Sequence, residues 1–158
     1  MRALIGGSLN LNSINLSRRE LATLYAWQFI GTSYKWGGDD PMGGFYCSGY
    51  CIEILKGVGV LSRHGDWTAQ SLFDRWITDN QVSSPTQGCL VFWRASSGRI
   101  SHVEYCVTSI CSLGASGGDS GVFTIEDAIE QNAYIKLRPF GSRPNIAGFV
   151  DPFLGVGE

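Results

Sequence analysis

The chain has 158 residues, 44% of them apolar and 16% charged, with a formal net charge of −2. One domain with one core fits this length, and the composition is too apolar for a disordered chain. The charge lacks the basic excess of a nucleic-acid binder, no apolar run approaches a membrane span, and 21 glycines against a usual ~7% point to turns rather than a helical bundle.

Residues 1–15 mix Gly, Ser, Asn and Leu and read as an N-terminal arm, with the domain proper over 16–158. Asn15 or Ser17 is a candidate cap for a helix to about Ile30, with Glu20 in its first turn and Leu21, Leu24, Tyr25 and Gln28 at helical spacing. Gly31 ends it. Ser33 to Gly44 is turn chemistry with Tyr34 and Trp36 embedded. A second helix starts at Cys47 and ends near Gly57, and Thr68 caps a third over Ala69–Trp76. After Pro85 the pattern turns to strands: Gly88–Trp93, Ile100–Val107, Ser109–Ala115, Ala133–Arg138 and Ile146–Val150. Helices first and strands second predict an α+β domain with an antiparallel sheet of about five strands.

Five cysteines (Cys47, Cys51, Cys89, Cys106, Cys111) are an odd count without a C-x-x-C pair, and the two histidines lie apart. This argues against a disulfide framework or a closed zinc site; four of the thiols read as buried. Cys47 differs, because it stands where a glycine-rich turn meets a helix N-terminus. The free N–H groups and helix dipole there favour a thiolate and can hold an oxyanion. Position alone leaves Cys47 either a nucleophile or one more buried thiol. A thiolate nucleophile needs an imidazole. His102 begins a strand on which period two puts Glu104 on the same face, with Val103 and Tyr105 on the other. His64 lies in a polar loop and reads as solvated.

The runs Tyr34-Lys35-Trp36-Gly37-Gly38 and Gly44-Phe45-Tyr46-Cys47-Ser48-Gly49, then Leu90-Val91-Phe92-Trp93 and His102-Val103, resemble the motifs of the NlpC/P60-type cysteine peptidases. The 55-residue separation of Cys47 and His102 also suits that family. The Gly114–Gly118 stretch and the ending Gly148–Phe153 look like its short phage-tail and prophage forms. The resemblance covers about Leu16 to Phe153 and implies a papain-like fold without metal or organic cofactor. It also implies an endopeptidase acting on peptidoglycan stem peptides, with Cys47 as nucleophile, His102 as general base, and Tyr34 and Ser48 beside the oxyanion and substrate.

The chain departs from that pattern at several positions. Tyr46 stands where the family usually has Asp, Cys89 where it often has Asp, Glu104 where it usually has Gly, and Gly114 where a third polar residue would orient the imidazole. Ser112 or Asn132 are candidates for that missing role. Glu104 reads first as an exposed strand carboxylate, and second as a partner for imidazolium or for a cationic substrate group. Tyr46 and Gly114 keep open a decayed peptidoglycan-binding or tail-assembly module, and the same acyl-enzyme with another acceptor would make an amidase or acyltransferase on this scaffold. The first residues do not read as a secretory signal, so the expectation is cytoplasmic synthesis and delivery within a virion or phage tail, with tail proteins as partners.

Overall fold

The computed structural model describes residues 15–118 and 120–157. The expected arm falls almost wholly outside them. Helix α1 (Arg18–Trp27) is capped by Ser17, whose side chain accepts from Glu20 N–H while Glu20 returns a bond to the Ser17 backbone. Such a reciprocal box satisfies donors that the first turn leaves orphaned. The helix stops three residues earlier than expected. Its end loosens through longer i→i−3 bonds at Phe29 and Ile30 and turns at Gly31, where φ is +84°.

The buried face of α1 also differs from expectation. Leu21 and Leu24 are exposed, and Ala22, Thr23 and Ala26 face inward. Three polar contacts select that face. Tyr50 Oη donates to the Ala26 carbonyl at 2.9 Å, Thr23 Oγ1 meets Tyr105 Oη at 3.0 Å, and Arg19 grips Asp151 with two bonds of 2.8 and 3.0 Å. Small residues at 22 and 26 let the helix approach closely enough for these contacts.

A two-stranded hairpin, β1 (Asp39–Asp40) and β2 (Gly44–Phe45), precedes α2 (Cys47–Gly57), and α3 (Ala69–Trp76) follows with Thr68 as its cap. The main sheet is antiparallel throughout, in the order β3-β8-β4-β5-β6-β7. Its strands are β3 (Gln81–Val82), β4 (Leu90–Arg94), β5 (Ile100–Cys106), β6 (Cys111–Ser116), β7 (Tyr134–Pro139) and β8 (Ile146–Val150). All five expected strands are present. The sixth, β3, has only two residues and therefore no periodicity to read. A fourth helix, α4 (Ile125–Glu130), carries a Thr124–Asp127 capping box in a stretch the sequence reading passed over.

The sheet is covered on both faces. Leu90, Phe92, Val103, Tyr105 and Leu113 join Ile54, Leu55 and Leu72 from the helices in the main core. The opposite face packs Cys89, Val91, Trp93 and Cys106 against Phe140 and Phe149. All five cysteines are free; Cys111 is partly exposed, where a buried thiol was expected.

The Arg19–Asp151 pair ties α1 to the chain beyond β8, and Asp151 also accepts from Phe153 N–H at 3.0 Å. Asp151→Ala should lower unfolding stability by about 1.5–3 kcal/mol, the usual range for charge-assisted bonds at a partly buried site. Urea denaturation reads this directly; a loss below about 0.5 kcal/mol would show that the clamp does not hold the helix.

Candidate active site

Cys47 is the first residue of α2, and backbone crowding fixes where that helix begins. A Cβ on Gly49 would overlap the carbonyl oxygen of Gly38, and one on Gly38 would overlap the carbonyl of Gly44. Glycine at both positions lets the first turn of α2 lie directly on the Trp36-Gly37-Gly38 turn. Tyr46 N–H donates to the Gly38 carbonyl at 2.9 Å and locks the contact. Cys47 is thereby held, partly exposed, in a cleft of about 390 Å³ lined by residues that include Tyr34, Trp36, Tyr46, Ser48, His102 and Arg143.

His102 lines the same cleft, close enough for the two side chains to influence each other's protonation. Burial alone would raise the Cys47 pKa. The bond to His102, the charge on that imidazole and the N–H groups of Val103 and Ser48 outweigh it and bring the thiol below its ordinary value. Burial alone would lower the His102 pKa. Its bonds to Cys47 and Glu104 prevail and raise it. Both shifts favour a thiolate–imidazolium pair.

One ring nitrogen of His102 is engaged from inside the protein. His102 Nε2 lies 2.8 Å from Glu104 Oε1. Glu104 is fully buried, which corrects the expectation of an exposed strand carboxylate. It survives there because three groups pair with it: His102, Ser112 Oγ donating at 2.6 Å, and Arg138 Nη2 donating at 2.8 Å. Burial would raise its pKa, but the histidine, Arg138 and Ser112 together hold it at about 2. One more step along the β5–β6 register sets Gly114 opposite Glu104. A Cβ on Gly114 would collide with Glu104 Cγ and come within 2.6 Å of Cδ. The missing side chain at 114 is the space that the carboxylate occupies.

The remaining candidates separate. Tyr34 is buried, lines the cleft and lays its ring against Gly118. Ser48 is buried beside Cys47 in the cleft lining, and its N–H helps lower the thiol pKa. Tyr46 is half-buried at the cleft wall; its hydroxyl donates to the Trp67 carbonyl at 3.4 Å, and burial raises its pKa, so it carries no charge at neutral pH. Ser112 bonds Glu104 and not the imidazole. Asn132 sits beyond α4 in a left-handed conformation, φ 53°, away from the cleft, and its carbonyl accepts from Lys136. The expectation that Ser112 or Asn132 orients the ring directly is therefore replaced by Glu104. His64 is exposed in its loop. Arg138 and Arg143 went unread in the sequence, since each reaches the site from a segment more than 30 residues past His102. Among the described residues no group of three or more His, Cys, Asp or Glu side chains could hold a metal ion.

The chain matches the NlpC/P60 family over residues 31–137. It is 38% identical over 74 residues to Protein P54 of Enterococcus faecium, covering 46% of this chain and 13% of that one. It is 27% identical over 121 residues to the probable peptidoglycan endopeptidase LytE of Bacillus subtilis (strain 168), covering 72% of this chain and 30% of that one. The chain thus spans less than a third of either relative's length. Among solved structures, the NlpC/p60 domain of the peptidoglycan hydrolase SagA superposes with a TM-score of 0.57 at 22% identity, covering 84% of this chain and 97% of that one. The peptidoglycan hydrolase RipB of Mycobacterium tuberculosis superposes with a TM-score of 0.63 at 22% identity, covering 85% and 63%. The architecture described above is the papain-like α+β fold of these domains.

Two outcomes follow from the buried carboxylate. Native Glu104 ionises near 2 and the unfolded residue near 4.5, so its contribution to stability is present above about 4.5 and is lost as pH falls toward 2. Glu104→Gln should flatten the pH dependence of urea unfolding in that window; an unchanged slope would contradict the pairing. Gly114→Ala should push Glu104 off the imidazole. The pH at which Cys47 reaches half its maximal alkylation rate should then move up toward the ~8.5 of a free thiol. An unchanged profile would show that Glu104 does not support the pair.

Proposed function

The chain belongs to the NlpC/P60 family, and from that premise and the Cys47–His102 pair we propose that it is a cysteine endopeptidase hydrolysing amide bonds of peptidoglycan stem peptides. The observation that carries the reading is a thiol at the first residue of a helix and a carboxylate-paired imidazole lining one cleft, with the thiol pKa lowered and the imidazole pKa raised.

In this mechanism the Cys47 thiolate attacks the carbonyl carbon of the scissile amide, forming a C–S bond and an oxyanion. The N–H groups of Cys47 and Ser48 at the start of α2 face that oxygen, and Tyr34 bounds the same end of the cleft. The His102 imidazolium gives its proton to the amide nitrogen as the C–N bond breaks, which leaves an acyl-enzyme and a free amine. Neutral His102 then takes a proton from water, whose oxygen attacks the thioester. The thiolate leaves and the ion pair is restored. Glu104 acts through His102. It fixes the ring's orientation from Nε2, leaves Nδ1 to Cys47, and stabilises the charged imidazole during the cycle. Tyr46 cannot supply the negative charge that the family's usual Asp offers a substrate amine, so the substrate is held by other groups.

Cys47→Ala should abolish release of soluble muropeptides from purified cell wall and leave thermal unfolding within a few degrees of the wild type. His102→Ala should lower the rate by about 10³-fold or more. Retained wall digestion by the Cys47→Ala protein would overturn the assignment. No release by the wild-type protein, with both proteins sedimenting equally with insoluble wall, would establish a binding module in its place.

A further inference from the structure

The cleft beside Cys47 has an unusual charge balance. Two arginines line it, Arg99 at the exposed rim and Arg143 further in, and no aspartate or glutamate is among the described residues of its wall. The two arginines near the site are held very differently. Arg138 spends its charge on Glu104. Arg143 is half-buried and has no carboxylate within ion-pair distance among the described residues.

Arg143 is nevertheless well positioned. Its guanidinium lies over the Trp93 ring at 5.3 Å, and Nη2 donates to Ser116 Oγ at 3.3 Å. Trp93 Nε1–H in turn donates to the Arg143 carbonyl at 3.2 Å. The Trp93 and His102 rings are 5.3 Å apart and tilted by 53°. Trp93 therefore touches both Arg143 and His102. Burial and the repulsion of Arg138 lower the Arg143 pKa, and it lies close enough to Cys47 to feel that thiolate.

A guanidinium has five donors, and the described residues give one of Arg143's side-chain donors a partner. A half-buried cation set over an aromatic ring, its desolvation only partly offset by the more distant Glu104 and Cys47, gains little for stability alone. It is a good arrangement for a planar anion, since the fork matches a carboxylate with two parallel bonds. Tyr46 in place of an acidic residue fits the same reading: among the described residues the cleft wall carries arginines and no carboxylate.

We infer that Arg143 is a specificity-determining residue, receiving a free carboxylate carried by the substrate close to the amide that Cys47 attacks, with Arg99 steering that anion at the rim. This rests on the peptidase reading for its substrate but not for its test, which needs only the Cys47 thiol.

The test compares alkylation of Cys47 by iodoacetate, which is anionic, and by iodoacetamide, its neutral isostere. In both, the thiolate sulfur bonds the methylene carbon and iodide leaves. The rate ratio of the two reagents is normalised to that of 2-mercaptoethanol, and the modified residue is located by mass spectrometry. The ratio should exceed that of the free thiol by about tenfold and fall to nearly the free-thiol value in Arg143→Gln, with the iodoacetamide rate changing less than about twofold. The same pair is repeated in Asp119→Asn, which removes the chain's own carboxylate next to Gly118. An equal ratio in wild type and Arg143→Gln overturns the inference. So does an equal fall in both rates, which would assign Arg143 to stabilising the thiolate.

Should Arg143→Gln lose its native circular dichroism, acetate protection of wild-type Cys47 against iodoacetamide is measured, and no protection overturns the inference. On peptides, kcat/KM should fall when the substrate carboxylate is converted to a carboxamide. Amidating the side chain and the C-terminus separately tells which carboxylate Arg143 reads. A preserved iodoacetate preference in a protein that releases no muropeptides would refute the peptidase and keep the anion site.

Discussion

A carboxylate with no access to water organises the reacting end of this molecule. Left alone, ionised Glu104 would be among the costliest groups in the core. It is stable because strands β5, β6 and β7 each contribute to its surroundings: His102 from its own strand, Ser112 and the empty position at Gly114 from the next, and Arg138 from the third. Its partners are strong donors, so its charge persists. That charge in turn favours imidazolium at His102, and imidazolium favours thiolate at Cys47. The chemistry of the cleft thus depends on packing two strands away from it.

A second constraint acts on Cys47. The start of α2 lies against the Gly38 carbonyl at a distance that only Gly49 permits. A side chain at either glycine would push the helix and its first residue away from His102. The glycines of the Trp-Gly-Gly and Cys-Ser-Gly runs serve the placement of Cys47, and Tyr46 N–H pins the same contact. Reactions of bound groups are sensitive to misplacement of the order of 1 Å, so under the proposed mechanism these close approaches bear on rate as well as on packing.

Much of this was legible in the sequence, and the gaps have physical causes. The strands β4 to β8 stood out because short apolar runs were bounded by turn residues, and Thr68 announced α3 with its cap. Cys47 and His102 stood out by residue type, spacing and position on their elements, and the structure places both on one cleft. Period two correctly put Glu104 on the His102 face. Its burial was not readable, because both faces of β5 are covered and nothing in the strand itself distinguishes a buried carboxylate from a solvated one. That information resides in Gly114 and Arg138, which meet Glu104 only through strand pairing. The face of α1 was misread for a similar reason: spacing favoured Leu21 and Leu24, whereas the polar contacts of Arg19, Thr23 and Ala26 with distant residues decided the orientation. Helix α4 left a usable signal in Thr124 and Asp127, but a six-residue helix has too little periodicity to confirm it.

The central claim is that His102 rests as imidazolium between a thiolate and a buried carboxylate. The most direct measurement is a pH titration of the His102 ring nitrogens by ¹⁵N NMR, in the wild-type protein and in Cys47→Ala. The account predicts that both nitrogens of the wild type remain protonated above pH 6.5, and that deprotonation shifts to lower pH when the thiolate is removed. A wild-type ring that titrates at or below 6.5, unaffected by Cys47→Ala, would contradict it.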